Sequence, residues 1–525
     1  MLKNKRTISF LVCMILILTS CIGKTGLVAL SSEYTASSSY NSYSILIGKK
    51  YPTIYDCKNR KITNCTYSYS AVIKPDEKSM SELKYIFSQQ EINEITEELS
   101  KGYPIVVPIE EKDYQKKFKY IKVFKTVNQF NDNQLCSHLI SKVTNGLQAN
   151  YDTYFKNPNK LKINFAIDAK GRFLTGDDGT VESDNYYSKA GIGLTIDKEI
   201  QNIAEGAIDT SIINKGAVVI TDVETGAVLG ICSRPKINLN KINDNENDFI
   251  NRAITPYSVG SIFKIVVACS AIENGFEDFE CECKGKIKVG DTIYSCQKSK
   301  IHGKEKLKNA LANSCNCYFV KLALALGSEK LYKTAKDFGF GSETELSPSW
   351  FVSNGIIEDK NTLSSNGKLS LFAFGQGKLS ATPIMFSSVV STIANGGVYN
   401  SPYIIDGYIE ADGSRRNADR SSYKGKQIIS NRTAEIMQKY LRYVVTDGTG
   451  NAAESKDGLS AGKTSTAQSG QYKNGKEILH TWFAGFYPCD KPKYAIIIFN
   501  EDGKSGGGDC GPIFRQIVDK LNSKK

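Results

Sequence analysis

The sequence predicts an α+β fold in which one antiparallel sheet, built from both ends of a domain, is flanked by helices. Three observations predict it. "GAVVITDV" and "AVLGICS", joined across the turn "ETG", read as a hairpin. Strand-like runs around 461–468, 479–487 and 494–500 close the domain, with turns at "KNG" (473–475) and "CDKP" (489–492). Between these groups the apolar spacing is helical, at 261–273, 306–312, 316–326, 329–337, 383–394 and 432–446.

Along the chain, Lys3, Lys5 and Arg6 precede a nearly uncharged run from Ile8 to Ile22. This pattern fits a signal peptide or a short signal anchor with its N-terminus inside. "LTSC", ending at Cys21, also fits a bacterial lipobox, in which Cys21 is lipidated after cleavage. Both readings tether an extracytoplasmic body to the cell membrane. "SSEYTASSSYNSYS" follows as a polar linker. The stretch to about residue 190 mixes strand-like pieces (Ile105–Ile109, Tyr120–Thr126) with helical ones (Ser81–Ser100, Gln134–Ala149) and holds no catalytic constellation, so it reads as a spacer. "GLTIDKEIQNIAEGAI" opens a new unit, with Thr195 or Asp197 as helix cap, and "GPIFRQIVDKLNSKK" closes it as a helix. The expected organisation is an anchor over 1–30, a pedestal over 31–190 and a catalytic domain over 191–525.

Composition narrows the function. A chain of 525 residues with 41% hydrophobic content builds real cores and is not disordered. The net charge of +12 is spread along the chain, which favours a solvated basic surface over a nucleic-acid stripe and is compatible with weak attraction to anionic envelope polymers.

The chemistry starts at "PYSVGSIFKIVVACS". Ser261 and Lys264 are three apart and share a helical face. A serine hydroxyl is a poor nucleophile until a base takes its proton. Lys264, among Ile262, Phe263 and Ile265, is placed for desolvation, a lowered pKa and that role. Alone, S-x-x-K is a common pattern, better explained by an ordinary N-terminal serine and a snorkelling lysine. Ser314-Cys315-Asn316 between helical stretches, and Lys463-Thr464-Ser465 on a strand, turn it into an ordered set.

S-x-x-K, S-x-N and K-T-x in this order resemble the signature of penicillin-binding proteins and serine β-lactamases. "NRAITPYSVGSIFK", "FGQGKLSATP", "IANGG", "GTG" and "HTWFAGFYP" resemble active-site segments of class B penicillin-binding proteins, the monofunctional peptidoglycan transpeptidases. The resemblance implies a penicillin-binding transpeptidase fold after an elongated pedestal. It implies peptidoglycan stem peptides and β-lactams as partners, and a separate membrane glycosyltransferase, since no such domain is visible here. It implies Ser261 as nucleophile, Lys264 as base and Ser314 as proton relay. Asn316 would bind the substrate amide, Lys463 would add positive charge and Thr464 would hold the terminal carboxylate. The N–H groups of Ser261 and Thr466 would form the oxyanion hole. Two positions depart from the pattern: Ser465 stands where the family has glycine, and Val259 where it has proline. A side chain at 465 is expected to crowd the ligand. A β-lactamase is the nearest alternative, with Glu343 or Glu345 as a deacylating base; a β-lactam-sensing or scaffold protein is another.

Of the 14 cysteines, Cys281, Cys283 and Cys296 form with His302 a C-x-C-x12-C-x5-H pattern. Three thiolates and an imidazole suit a closed, structural Zn2+ site. A disulfide between Cys296 and Cys281 or Cys283 is the alternative.

Overall fold

The computed structural model describes residues 2–30, 41–174, 176–242, 245–420 and 425–523. Contacts divide the chain into two units: 1–50, 67–127 and 159–187 form one, and 51–66, 128–158 and 188–525 the other. The stretch expected as a single pedestal over 31–190 contributes to both units. Thr53–Tyr55 is buried and pairs in parallel with Gly191–Leu194, and Cys136 N donates to Glu205 Oε1, so these segments belong to the second unit.

The first unit begins with a helix, Leu2–Leu30. Among the described residues, no helix is long and apolar enough to cross a membrane. Two three-stranded sheets follow, one of Ser42–Lys50, Asn159–Ala166 and Thr180–Glu182, the other of Ile105–Ile109, Thr66–Ile73 and Lys122–Asn128. Helix Gln89–Leu99 starts at a capping box made by Ser88 and Glu91, and Ile95 and Leu99 seat it on Ala71 and Ile73.

In the second unit, the helix expected over Gln134–Ala149 is reduced to single turns, Ser137–Ile140 and Leu147–Asn150. Cys136 and Asn145 adopt left-handed φ of 56° and 54°, which a continuous helix does not accommodate.

The second unit holds the site. Its elements are α1 (Lys198–Asp209), β1 (Gly216–Asp222), β2 (Val228–Arg234), α2 (Lys264–Glu273), α3 (Leu307–Ala312) and α4 (Asn316–Leu326), then α5 (Pro383–Ala394), α6 (Asn431–Thr446), β3 (Ala461–Lys473), β4 (Lys476–Tyr487), β5 (Tyr494–Asn500) and α7 (Gly511–Asn522). The five strands form an antiparallel sheet in the order β2-β1-β5-β4-β3. The period of two explains its layers. Val218, Ile220, Ile496 and Ile498 join the core under α1 and α7, whereas Ala217, Val219, Ile497 and Phe499 join the core that holds α2 and α5.

Caps set where the helices begin. Asp197 accepts from Glu199 N, Thr382 from Met385 N ahead of Pro383, and Ser430 from Thr433 N. Helices α2 and α5 are buried nearly all round, which is why their sequences show no polar stripe.

Candidate active site

Ser261 lies in a short 3-10 turn, Gly260–Phe263, that runs into α2 at Lys264. The first turn is therefore tighter than the α-helical start expected from spacing. Lys264 is completely buried, and its ammonium reaches out of α2 to the second motif. Its Nζ lies 2.7 Å from Ser314 O, 3.2 Å from Ser314 Oγ and 2.7 Å from Asn316 Oδ1. Burial pushes its pKa down to about 7, while the nearby Cys315, Cys296 and Cys317 thiols act the other way.

The second motif is presented by a chain reversal. Ser314 N donates to Leu311 O and Cys315 N to Ala310 O at the end of α3, and Ser314 has a left-handed φ of 53°. Cys315 then caps α4, its Sγ accepting from Tyr318 N. This reversal brings the Ser314 and Asn316 side chains to the same amine. Asn316 Nδ2 donates to Ser295 O at 2.9 Å, which fixes which end of the amide faces Lys264.

The third motif lies on β3, in register with β4: Lys463 opposite Ala484, Thr464 opposite Phe483 and Ser465 opposite Trp482. Lys463 is buried, and desolvation, followed by the charge of Lys264, pushes its pKa well below the usual lysine value. Thr464 Oγ1 is 2.9 Å from Thr449 Oγ1, and Thr449 N donates to Ala312 O at 3.1 Å. Thr449 thus links the third motif to the end of α3, two residues before the second motif. It was not singled out in sequence, although "GTG" marked its segment.

The structure therefore gathers a serine from the turn before α2, two buried lysines from α2 and β3, a second serine and an asparagine from the α3–α4 reversal, and a threonine pair from β3 and the segment after α6. Such a group can activate a hydroxyl and hold an anionic substrate terminus.

Comparison with known families matches residues 216–519 to the penicillin-binding protein transpeptidase domain. The chain belongs to the penicillin-binding protein transpeptidase family. Among curated proteins it is 31% identical over 392 residues to stage V sporulation protein D of Bacillus subtilis, covering 71% of this chain and 59% of that protein. It is 27% identical over 396 residues to the peptidoglycan D,D-transpeptidase FtsI homolog of Mesostigma viride, covering 68% of this chain and 65% of that one. A solved structure described as showing the coordination of polymerization and crosslinking by a peptidoglycan synthase complex superposes with a TM-score of 0.69 at 19% identity, covering 98% of each chain. The chain thus spans 59% and 65% of the length of these two curated relatives.

Within this family's fold, the remaining sequence-derived positions fall as follows. Ser465 is 2% exposed, and its Oγ donates to Val259 O at 2.7 Å. The hydroxyl expected beside the ligand is held in this hydrogen bond to the turn that carries Ser261. Thr466, half-buried, accepts from Gly506 N through Oγ1. Glu343 and Glu345 lie on a two-stranded hairpin, Glu343–Ser347 with Trp350–Ser353, and Glu343 is exposed.

The cysteine cluster is present but differs from the expected set. Cys283, Cys296, His302 and Cys315 offer ligand atoms within 4.8 Å of one another. Cys281 is replaced by Cys315, the middle residue of the second motif. Cys281 and Cys283 share one face of the strand Glu280–Cys283, so they sit a full pleat repeat, about 6.8 Å, apart along it. Cys283 Sγ is 3.7 Å from Cys296 Sγ and 3.4 Å from His302 Nδ1, and Cys296 Sγ is 3.8 Å from Cys315 Sγ. A tetrahedron with metal–sulfur bonds of about 2.3 Å and a metal–nitrogen bond of about 2.0 Å has S···S edges of about 3.8 Å and S···N edges of about 3.5 Å. The thiols are free, and these separations far exceed the about 2.05 Å of a disulfide. Hydrogen bonds from Cys315 and Cys317 lower the pKa of Cys296 and favour its thiolate.

Proposed function

We propose that this chain is a serine-type peptidoglycan D,D-transpeptidase, acylated at Ser261. The observation that carries the reading is Lys264: a fully buried amine with a depressed pKa, one turn from Ser261 and bonded to both Ser314 and Asn316. The name of the Mesostigma viride relative supports the same reaction.

In the reaction, neutral Lys264 keeps two N–H donors for the 2.7 Å contacts with Ser314 O and Asn316 Oδ1, and its lone pair accepts the Ser261 proton. The Ser261 oxygen attacks the carbonyl of the penultimate D-Ala. The N–H groups of Ser261 and Thr466 take the oxyanion; a donor of this kind is worth about 3 kcal/mol in the transition state. Ser314, in contact with Lys264 through Oγ, passes its proton to the departing D-Ala amine and takes from Lys264 the proton that Ser261 gave up, which leaves Lys264 neutral again. Lys463 and Thr464 hold the terminal carboxylate. The amine of a second stem peptide then attacks the acyl-enzyme and restores the Ser261 hydroxyl. β-Lactams enter by the same first step and remain as esters.

The first thirty residues would tether the protein at the cell membrane, as a signal anchor or through a lipid on Cys21. The basic flank of the Ile8–Ile22 run and the exposure of its apolar side chains from Phe10 to Ile22 support this. The remainder of the first unit would act as a pedestal, and a separate membrane glycosyltransferase would supply the glycan strands. A structural Zn2+ is proposed at Cys283, Cys296, His302 and Cys315, supported by the Cys283–Cys296, Cys283–His302 and Cys296–Cys315 separations, which match the edges of a tetrahedron. Zinc there would hold the Ser314–Asn316 reversal and supply no step of the reaction.

Incubation with a labelled penicillin, followed by intact mass and peptide mapping, tests the function. A stable adduct on Ser261 is expected. An adduct elsewhere, or none with several β-lactams at saturation, overturns it; turnover within seconds makes the protein a β-lactamase.

A further inference from the structure

Residues 258–260 lead into Ser261, and each carries a hydrogen bond to a different part of the fold. Ser258 O accepts from Trp482 Nε1 at 2.9 Å, Val259 O accepts from Ser465 Oγ at 2.7 Å, and Gly260 N donates to Gly375 O at 3.0 Å. Ser465 and Trp482 are directly opposed across the β3–β4 ladder. Side chains of such a pair project to the same face, so the two donors meet consecutive carbonyls. Ser465 is 2% exposed and Val259 and Trp482 are fully buried, so water does not compete for these bonds. The fit is close: a Cβ at Gly260, where φ is +54°, would lie 2.6 Å from Ser465 Oγ.

Val259 and Ser465 are the two positions at which the motifs depart from the family pattern. They lie 206 residues apart in sequence and are bonded to each other. A valine leaves its φ free where a proline ring fixes it. Val259 has φ −89° and ψ −33°, and Ser258 before it is in a strand, so the backbone would accept the ring with a modest shift.

We propose that Ser465 is a positioning residue that braces the nucleophile turn through the Val259 carbonyl. The hydrogen bond does in this chain what a ring at 259 does covalently. It fixes the peptide planes that aim the Ser261 hydroxyl and its N–H, and it ties them to the strand carrying Lys463 and Thr464. The inference rests on acyl transfer at Ser261.

The test is a cycle of S465G, S465A, V259P and the double variants with V259P, read as the second-order rate of acylation by a fluorescent penicillin. Hydrogen–deuterium exchange of the peptide spanning 257–263 is followed in parallel. Loss of one buried hydrogen bond predicts acylation slowed about three- to tenfold in both S465G and S465A. Exchange in 257–263 should rise in both, and V259P should restore rate and protection in both. V259P alone should leave the rate within about twofold of the parent, since the brace is already present. If Ser465 instead crowds the ligand, S465G acylates faster and S465A falls near the parent; that result overturns the brace. So does a loss of rate that V259P does not restore. A parent protein that is not acylated at Ser261 refutes the function alone. The brace is then still decided by exchange, and unchanged protection in S465A and S465G rejects it.

Discussion

The base can be tested by pH. Lys264 leaves water entirely on folding, and burial brings its pKa from 10.5 to about 7. Lys463 from β3, the Cys296, Cys315 and Cys317 thiols and the Phe319 ring are the charged, titratable and aromatic groups around it. Below the folded pKa, Lys264 is an ammonium with no lone pair; above it, the neutral amine can accept the Ser261 proton. The acylation rate of a neutral-headed β-lactam should therefore rise about tenfold per pH unit up to pH ~7, then level, about a hundredfold in all between pH 5 and 9. An unshifted lysine would be neutral in only about one molecule in 3,000 at pH 7, so burial raises the working fraction more than a thousandfold. Linkage gives a second sign. Between about pH 7 and 10.5 the unfolded chain holds a proton on Lys264 that the folded chain lacks, so this group makes the fold gain stability as pH rises through that window. Rapid-mix acylation at constant ionic strength, with melting temperatures at each pH, measures both. A flat profile, or a midpoint above pH 9, refutes a neutral Lys264. Lys264→Arg, whose guanidinium stays protonated, should abolish acylation while Ser261 remains in place.

Further outcomes follow from other contacts. Elemental analysis should find about one zinc per chain in the parent and in Cys281→Ser, and little in Cys315→Ser; retention by Cys315→Ser and loss by Cys281→Ser would refute the set of Cys283, Cys296, His302 and Cys315. Chelation should lower the melting temperature and slow acylation together, because the same reversal carries Cys315 and both Lys264 partners. Gly260→Ala should cut acylation by at least about tenfold, since it adds left-handed strain of about 1–2 kcal/mol and pushes on Ser465 Oγ. Glu501→Gln should destabilise the fold by about 3–5 kcal/mol in denaturant titration, because it leaves the fully buried Arg252 charge without its carboxylate.

Sequence reached furthest where local pattern and tertiary role agree. The early hairpin, the helices at 316–326 and 383–394 and the last strands are each governed by short-range spacing, caps or turns. Ser261 and Lys264 stood out only through the order of the three motifs, because a lysine at the head of an apolar run is by itself explained by snorkelling. What was not readable depends on which distant segment arrives. Nothing local in Thr53–Tyr55 says that it will pair with Gly191–Leu194 rather than with a neighbouring strand. Thr449 and Trp482 act on the site through Thr464 and Ser258, partners known only once β3 and the nucleophile turn are adjacent.

The cysteines show the same limit more sharply. Sequence spacing favours Cys281 because it stands two residues from Cys283, yet a strand makes that spacing a poor chelate: side chains two apart point the same way but stay a pleat repeat apart. Cys315 lies 19 residues from Cys296 and on the far side of α3, but the reversal at Ser314 turns its thiol inward to 3.8 Å from Cys296 Sγ. Ser295, next to Cys296, accepts from Asn316, next to Cys315. Two consecutive residues of one segment thus face two consecutive residues of the other, one pair through sulfur and one through the amide that orients toward Lys264. A ligand at the sulfur pair would therefore act on the base through a single peptide unit. The Cys281 set would reach Asn316 only through Ser295 O, because it leaves the second motif itself outside the cluster. The difference between the two sets is thus a difference in chemistry: a metal held by the Cys281 set would fasten the segment from Cys281 to His302 to itself, whereas one held by the Cys315 set would fasten that segment to the reversal that carries Asn316.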